Sequence, residues 1–362
     1  MSENGNEKDL FYIYATLTCN LSCIHCYVPS SPNLVVKNEL SLDEIKKFID
    51  YGKKIKVKGI RLTGGEPLLR KDILEIINYA ISKDMSVEVE TNGLLIDNNF
   101  LKSVSDLNKI YISISLDGPK EVHEKIRGIN TFERTVNVLR LLKQYNVKRT
   151  IVTTLTIMDW IYDEEKLNSF INLIIDLYPN VWYIHVWVSP AGRAKLLKSP
   201  KVKEIYDAIK LFYSLRIKLD GKVPIVLNVP PAVIPEEFTE FMLKDNLLNL
   251  GCHWWRIAGI SSNGNVSICH RFASFPEMRA GNVRRDDFDK IFSNEILNRR
   301  EIRLKGICSK CLIKEYCRGF CRADAYEFYR DFNAPHPLCQ LFYENGFFNK
   351  NFIIGQIFLY FV

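Results

Sequence analysis

Strand-like and helix-like runs alternate through the first 215 residues of this 362-residue chain, and that alternation restricts the fold more than any other feature. The strand candidates are 11–18, 59–64, 86–91, 110–116, 150–156 and 181–188, rich in Ile, Val, Thr and aromatic residues. Between them, Ser41 with Glu44 three residues on forms a capping box for a helix over 41–55. A second helix is expected to start at Pro67 and to align Leu69, Ile73, Ile76, Ile77 and Ala80 on one face. Further helical runs cover 131–146 and 163–178. Strand–helix repeats with apolar strands predict an α/β fold with a parallel sheet covered by helices. Six units predict an incomplete barrel, a partial (β/α)6 TIM barrel, with its site at the C-terminal ends of the strands.

The proline-rich stretch 216–250 lacks a clear period and reads as a connector. A cysteine-rich unit follows over 251–345, and an apolar segment closes the chain at 346–362. That tail is too short to cross a bilayer, which takes about 20 residues. Packing on the core is its expected role, with interfacial membrane contact the alternative. Composition is that of a globular protein, 47% hydrophobic and 25% charged. The formal charge is +7, with basic residues spread among acidic ones, so no nucleic-acid partner is expected.

Cysteine placement is uneven. Three of the ten fall at 19, 23 and 26, none between 27 and 251, and seven between 252 and 339. The polar start "MSENGNEKDL" lacks the apolar core of a signal peptide. Clustered cysteines without an export signal point to metal ligands in the reducing cytoplasm. A structural zinc takes four ligands, and His25 is placed to complete such a site. A four-iron cubane held by only three thiolates instead keeps one iron open.

Cys19-x3-Cys23-x2-Cys26 after the first strand of a partial barrel resembles the radical S-adenosylmethionine (SAM) superfamily. The resemblance implies that the open iron chelates SAM. Reductive cleavage then gives methionine and a 5′-deoxyadenosyl radical that abstracts hydrogen from an unactivated carbon. Gly64, Gly65, Glu66 and Pro67 match the family's Gly-Gly-Glu-Pro segment. Glu66 is expected to hold the turn or face the SAM ammonium, and the glycines to let backbone approach a ligand. Thr91 and Asn92 begin the next family segment, and Ser115 and Asp117 would lie near ribose or methionine. Arg134 is a candidate for the SAM carboxylate. "SPAGRA" (189–194) is also similar to this group, and His25 is expected to shield the cluster or tune it.

The later cysteines, Cys252, Cys269, Cys308-x2-Cys311-x5-Cys317-x3-Cys321 and Cys339, resemble the SPASM domain, an auxiliary iron–sulfur extension. Asn263-Gly264 predicts a hairpin returning Cys269 toward Cys252, and Cys317 and Cys321 are expected to share a helix face. The resemblance implies one auxiliary cluster on Cys308, Cys311, Cys317 and Cys339. A second would sit on Cys252, Cys269 and Cys321, either left open or closed by His253, His270 or water. A substrate thiolate is a further candidate for that open iron, and zinc is the alternative occupant of these cysteines. Trp254 and Trp255 are expected to cover it.

The implied cofactors are three [4Fe-4S] clusters and SAM. The implied activity is oxidation or cross-linking of a peptide or protein, with thioether formation one form, and with ferredoxin or flavodoxin as electron donor. Sulfatase-oxidising relatives carry Asp where this chain has His270, and an extra cysteine it lacks. Eighteen residues precede Cys19, too few for a leader-gripping domain, so a separate leader-binding protein is expected. The alternatives are a tetrapyrrole-modifying enzyme of alternative haem synthesis and, outside enzymes, an electron carrier or zinc-stabilised module. His270 and Tyr27 are the candidates for acid–base work.

Overall fold

The computed structural model describes residues 8–34, 36–188, 190–244 and 252–353. The apolar run 354–362, residues 1–7 and Ser189 lie outside the described residues. The strands are β1 Leu10–Thr16, β2 Gly59–Gly64, β3 Ser86–Thr91, β4 Ile110–Ser115, β5 Lys148–Thr154, β6 Val181–His185, β7 Ile225–Leu227, β8 Ile257–Ile260, β9 Asn265–Ser267 and β10 Arg279–Asn282. They form one sheet in the order β10-β9-β8-β1-β2-β3-β4-β5-β6-β7, a partial barrel left open at β7. From β8 through β7 every pairing is parallel.

Two features lie beyond the sequence reading. The stretch 216–250 contributes the edge strand β7, paired with β6 from Trp182↔Ile225 to Ile184↔Leu227. The expected hairpin β8–β9 forms, and β8 also pairs in parallel with β1, Leu10↔Ile257 through Ile13↔Ile260. The cysteine-rich region therefore continues the same hydrogen-bonded ladder as the barrel. Buried Lys8 adds a strap, its Nζ donating to the carbonyls of Trp255 and Leu297 at 2.6 Å each.

Helices cover only one face of the sheet. Phe11, Ile13, Ile60, Leu62, Val87, Val89, Ile112, Ile151 and Ile184 share a core with helix α1, Leu42–Lys54, and helix α2, Ile73–Ser82. The alternate positions point to the concave side, because side chains reverse face at each step along a strand. Those positions are polar: Tyr12, Tyr14, Arg61, Glu88, Glu90, Ser113, Ser115, Thr154, Tyr183 and His185. Cross-strand register aligns Tyr12 with Arg61, Arg61 with Glu88 and Glu88 with Tyr111. A closed barrel of this size would fill its lumen with apolar layers; here the lumen is lined for a polar occupant.

The capping box of α1 is present, Ser41 Oγ accepting from Glu44 N and Glu44 Oε2 from Ser41 N. The helix expected from Pro67 is interrupted. Pro67–Leu69 make one 3-10 turn, and α2 begins only at Ile73, because Arg70 turns away to pair with Asp72 at 2.6 Å and to donate to Ala15 O. Among the described residues no helix is long and apolar enough to cross a membrane. The positive charge is not evenly spread, in contrast to the sequence expectation: residues 299–318 hold seven Lys or Arg and two Glu, a net +5 of the chain's +7.

Gly259 shows how tightly the cysteine hairpin docks on the barrel. A Cβ there would lie 2.2 Å from the backbone of Cys269 and His270. Gly259→Ala is expected to cost about 1–3 kcal/mol in urea unfolding, since backbone must give way.

Candidate functional site

The loop after β1 is held from several sides before any side chain of it does chemistry. Glu66 N donates to Thr18 O at 2.9 Å, Gly65 N to Thr16 O at 2.8 Å, and Ile24 N to Ile126 O at 3.0 Å. Cβ atoms on Gly64 and Gly65 would meet Thr16 O at 2.0 Å and Thr18 O at 2.2 Å. The glycine pair thus admits the close approach of the chain's own loop. "SPAGRA" acquires a structural role: Arg193 donates from Nε to Cys23 O at 2.8 Å, from its amide to Cys26 O at 2.9 Å and from its guanidinium to Ser30 O.

Glu66 is 1% exposed and holds the turn. Its carboxylate accepts from Thr91 Oγ1 at 2.7 Å, Leu68 N at 3.1 Å and Asn92 N at 2.9 Å, while burial raises its carboxyl. Pro67 is buried at the start of the 3-10 turn. Asn92 carries the link to the cysteine loop, its Nδ2 donating to Asn20 Oδ1 at 2.7 Å. Ser115 is half-buried at the end of β4, with no side-chain hydrogen bond among the described residues. Arg134 lies on the exposed side of its helix and donates to Leu94 O at 3.2 Å.

The guanidinium at the cysteine loop is Arg127, which ends the helix Lys120–Arg127. It donates to Asp117 at 2.5 Å, approaches Cys23 Sγ at 3.8 Å, and meets His25 Nε2 at 3.3 Å. Asp117 is fully buried and also accepts from Thr154 N at 3.0 Å, so it orients Arg127 and does not face the lumen. Burial alone would raise its carboxyl; Arg127 overrides this and holds it at about 2. Burial holds His25 near 4, hence neutral, and a donating Arg127 makes Nε2 the acceptor. The proton then sits on Nδ1, which is buried without a partner. The sequence offered this arginine in "HEKIRG", but nothing in spacing separated it from Arg134.

The later cysteines fall into two groups. Cys308, Cys311, Cys317 and Cys339 are buried in the main core, with His336 N donating to Cys308 Sγ at 3.4 Å. Cys252, Cys269 and Cys321 pack on a second core containing Trp254, Ile268 and Phe272, and Trp255 lies against it. Cys317 and Cys321 do not share a helix face. Arg318, Gly319 and Phe320 all adopt left-handed backbone between them, so Cys317 ends one short helix and Cys321 caps the next, Arg322–Tyr329. That reversal sends adjacent cysteines to different groups.

Of the two histidines weighed for the second group, His253 is exposed against Trp255, and His270 stacks on Tyr12 with ring centroids 3.7 Å apart. Burial drives His270 well below its usual range, and its Nδ1 has no partner. Tyr27 lies 6.3 Å from His270, its hydroxyl pushed up by burial. The side chain nearest Cys321 is Arg271, 3.5 Å from Sγ and anchored on Asp324 at 2.6 Å and Glu327 at 3.1 Å. Arg322 is 1% exposed, donates to the carbonyls of Gly319, Phe332 and Ala334, and has an unpartnered Nε. It forms no ion pair with a described carboxylate, and the thiols of Cys308, Cys321, Cys317 and Cys339 surround it.

All ten cysteines are free thiols. Burial pushes Cys19 up to about 11 and Cys317 and Cys321 to about 12. Among the described residues no three His, Cys, Asp or Glu side chains approach closely enough to hold a single metal ion. Arg322, which has no carboxylate partner, the donors of Arg127 and Arg271 beside cysteine sulfurs, and an orphaned His25 Nδ1 fit an anionic cluster with sulfide acceptors.

Residues 13–173 match the family model of the radical SAM superfamily, and residues 252–318 match that of SPASM, an iron–sulfur cluster-binding domain. The chain is similar to an AdoMet-dependent heme synthase of Methanosarcina barkeri, 28% identical over 342 residues, covering 90% of this chain and 94% of the relative. It is also similar to the mycofactocin maturase MftC of Mycolicibacterium smegmatis, 27% identical over 336 residues, covering 90% and 80%. In fold it is similar to Streptococcus suis SuiB bound to S-adenosylmethionine, with a TM-score of 0.74, 16% identity, and coverage of 92% of this chain and 78% of that one.

The Asp117–Arg127 pair sets an acid limit on this site. Its carboxyl lies below the unfolded value of about 3.9, so its stabilisation is complete above that pH and is lost as pH falls through about 2. Asp117→Asn should remove about 3–5 kcal/mol at neutral pH by stranding a buried guanidinium. It should also abolish this acid-dependent loss, as read by urea unfolding across pH 2–5.

Proposed function

The chain belongs to the radical SAM superfamily and carries a SPASM domain, and on that premise we propose that it cleaves SAM reductively to oxidise or cross-link a peptide or protein held in the barrel lumen. Cys19, Cys23 and Cys26 would hold the cluster that binds SAM. Cys308, Cys311, Cys317 and Cys339 would hold a second cluster, and Cys252, Cys269 and Cys321 a third. When bound and reduced, the first supplies one electron to the SAM sulfonium, releasing methionine and a 5′-deoxyadenosyl radical.

The observation that carries this reading is the polar lumen lying between the β1 loop and the Cys252–Cys269–Cys321 group. Arg193 and Arg127 fix the loop, and Glu66 ties it to the ends of β2 and β3. Tyr12 and His270 form the stacked wall between lumen and Cys269. His270 is kept neutral in that wall by burial, with Nδ1 unpartnered. For a carbon–sulfur cross-link the balance closes. 5′-Deoxyadenosine carries off one hydrogen atom, the thiol releases a proton, and the remaining electron leaves toward Cys252, Cys269 and Cys321.

The maturase relative supports a peptide, and so does the charge of the lumen: Glu88 and Glu90 face a single Arg61. That excess opposes a polyanionic tetrapyrrole. The heme synthase relative, matched across 94% of its length, supports the tetrapyrrole as the second reading.

Anaerobic reconstitution should give about twelve irons per chain, four for each of three cubanes, and 5′-deoxyadenosine under dithionite. Cys26→Ala should abolish that product. Cys321→Ala should keep SAM cleavage and lose oxidised substrate. A colourless zinc protein that leaves SAM intact would overturn the reading.

A further inference from the structure

One cavity among the described residues lies outside the barrel. It is a groove of about 610 Å³ on the cysteine-rich region. Four cations, Arg300, Arg303, Lys314 and Arg318, line it against two carboxylates, Glu301 and Glu315. Arg318 sits 4.4 Å over the ring of Trp255, and Ser309 of the groove adjoins Cys308 in the chain, as Arg318 adjoins Cys317. Exposed Lys310, Leu312 and Tyr316 lie on the turns that carry Cys308, Cys311 and Cys317.

Arg303 and Lys310 form no ion pair with a described carboxylate, unlike Lys305, which pairs with Asp331 at 2.6 Å. An interior ion-pair network would have neutralised these cations; they are held in solvent instead. Trp255, Ile302 and Leu304 supply the apolar part of the groove lining among these cations. Surfaces of this type steer an oppositely charged protein and let it dissociate quickly.

We propose that this groove docks a small acidic one-electron carrier protein and is where electrons pass between that carrier and the cluster on Cys308, Cys311, Cys317 and Cys339. The proposal rests on the iron–sulfur reading above. One electron of each substrate oxidation reaches the auxiliary cysteines, and the carrier removes it. The carrier is reduced by one electron as the cluster is oxidised. The net +5 over residues 299–318 lies on the same stretch of chain as three of those four cysteines.

The test uses the reconstituted full chain with the double variant Arg300→Glu/Arg303→Glu, both exposed residues of the groove lining and neither adjacent in the chain to a cysteine. Iron content, thermal unfolding and dithionite-driven 5′-deoxyadenosine formation should equal wild type. The rate at which an acidic flavodoxin exchanges electrons with the auxiliary cluster, followed by stopped-flow absorbance, should fall at least tenfold. The wild-type rate should drop steeply between 50 and 300 mM salt, and the variant's should not. A variant rate within twofold of wild type would overturn the proposal, as would wild-type binding of duplex DNA that flavodoxin fails to displace. Wild-type protein that lacks auxiliary iron while cleaving SAM would instead overturn the cluster reading on which it rests.

Discussion

Burying a guanidinium away from any carboxylate costs several kcal/mol, and this fold does so at its cysteines. Arg322 lies among four thiols with only carbonyls to accept its protons. Arg127 reaches Cys23, and Arg271 reaches Cys321. For Arg322 the natural counter-charge is thiolate; Arg127 and Arg271 already hold carboxylates, Asp117 and Asp324, and turn further donors toward sulfur. Yet the same burial pushes most of these thiols up, so cation and thiol are both poorly settled alone. An anionic cluster resolves both costs together. Folding of these segments is thereby coupled to metal loading, as metal binding generally couples to folding.

The arginines are in turn positioned by residues that never need to touch a ligand. Asp117 aims Arg127 and is locked by the Thr154 amide. Asp324 aims Arg271 and also meets His336 Nε2 at 3.3 Å, while the His336 amide points at Cys308. A continuous polar chain therefore runs from Cys321 to Cys308, joining the two auxiliary groups. Hydrogen bonds to cluster sulfurs set reduction potential, so these residues bear on the electronic balance of both groups at once.

The elements with strong local signals were legible in the sequence. The strand runs, the Ser41–Glu44 box and the Asn263–Gly264 turn each follow from neighbouring residues alone. What was not legible depended on partners far away in the chain. Arg127 and Arg134 look equivalent until the helix bearing Arg127 ends beneath the cysteine loop. Cys317 and Cys321 have helical spacing, but Arg318 and Phe320 adopt left-handed backbone that neither residue type favours. The polar lumen was written in the alternation of "SVEVET" and "YISIS", but the enrichment of the strands in Ile, Val and aromatic residues drew attention away from it. The concentration of charge over 299–318 was visible by counting, and whole-chain averages hid it.

Pairing of β8 with β1 has an architectural outcome. Backbone hydrogen bonds from Leu10↔Ile257 to Ile13↔Ile260 set the strand before the first cysteine loop and the strand after Cys252 side by side. The span between the first cysteine loop and Cys252 and Cys269 is therefore gauged by the width of a β-ladder, a rigid spacer, and not by the length of chain that joins them.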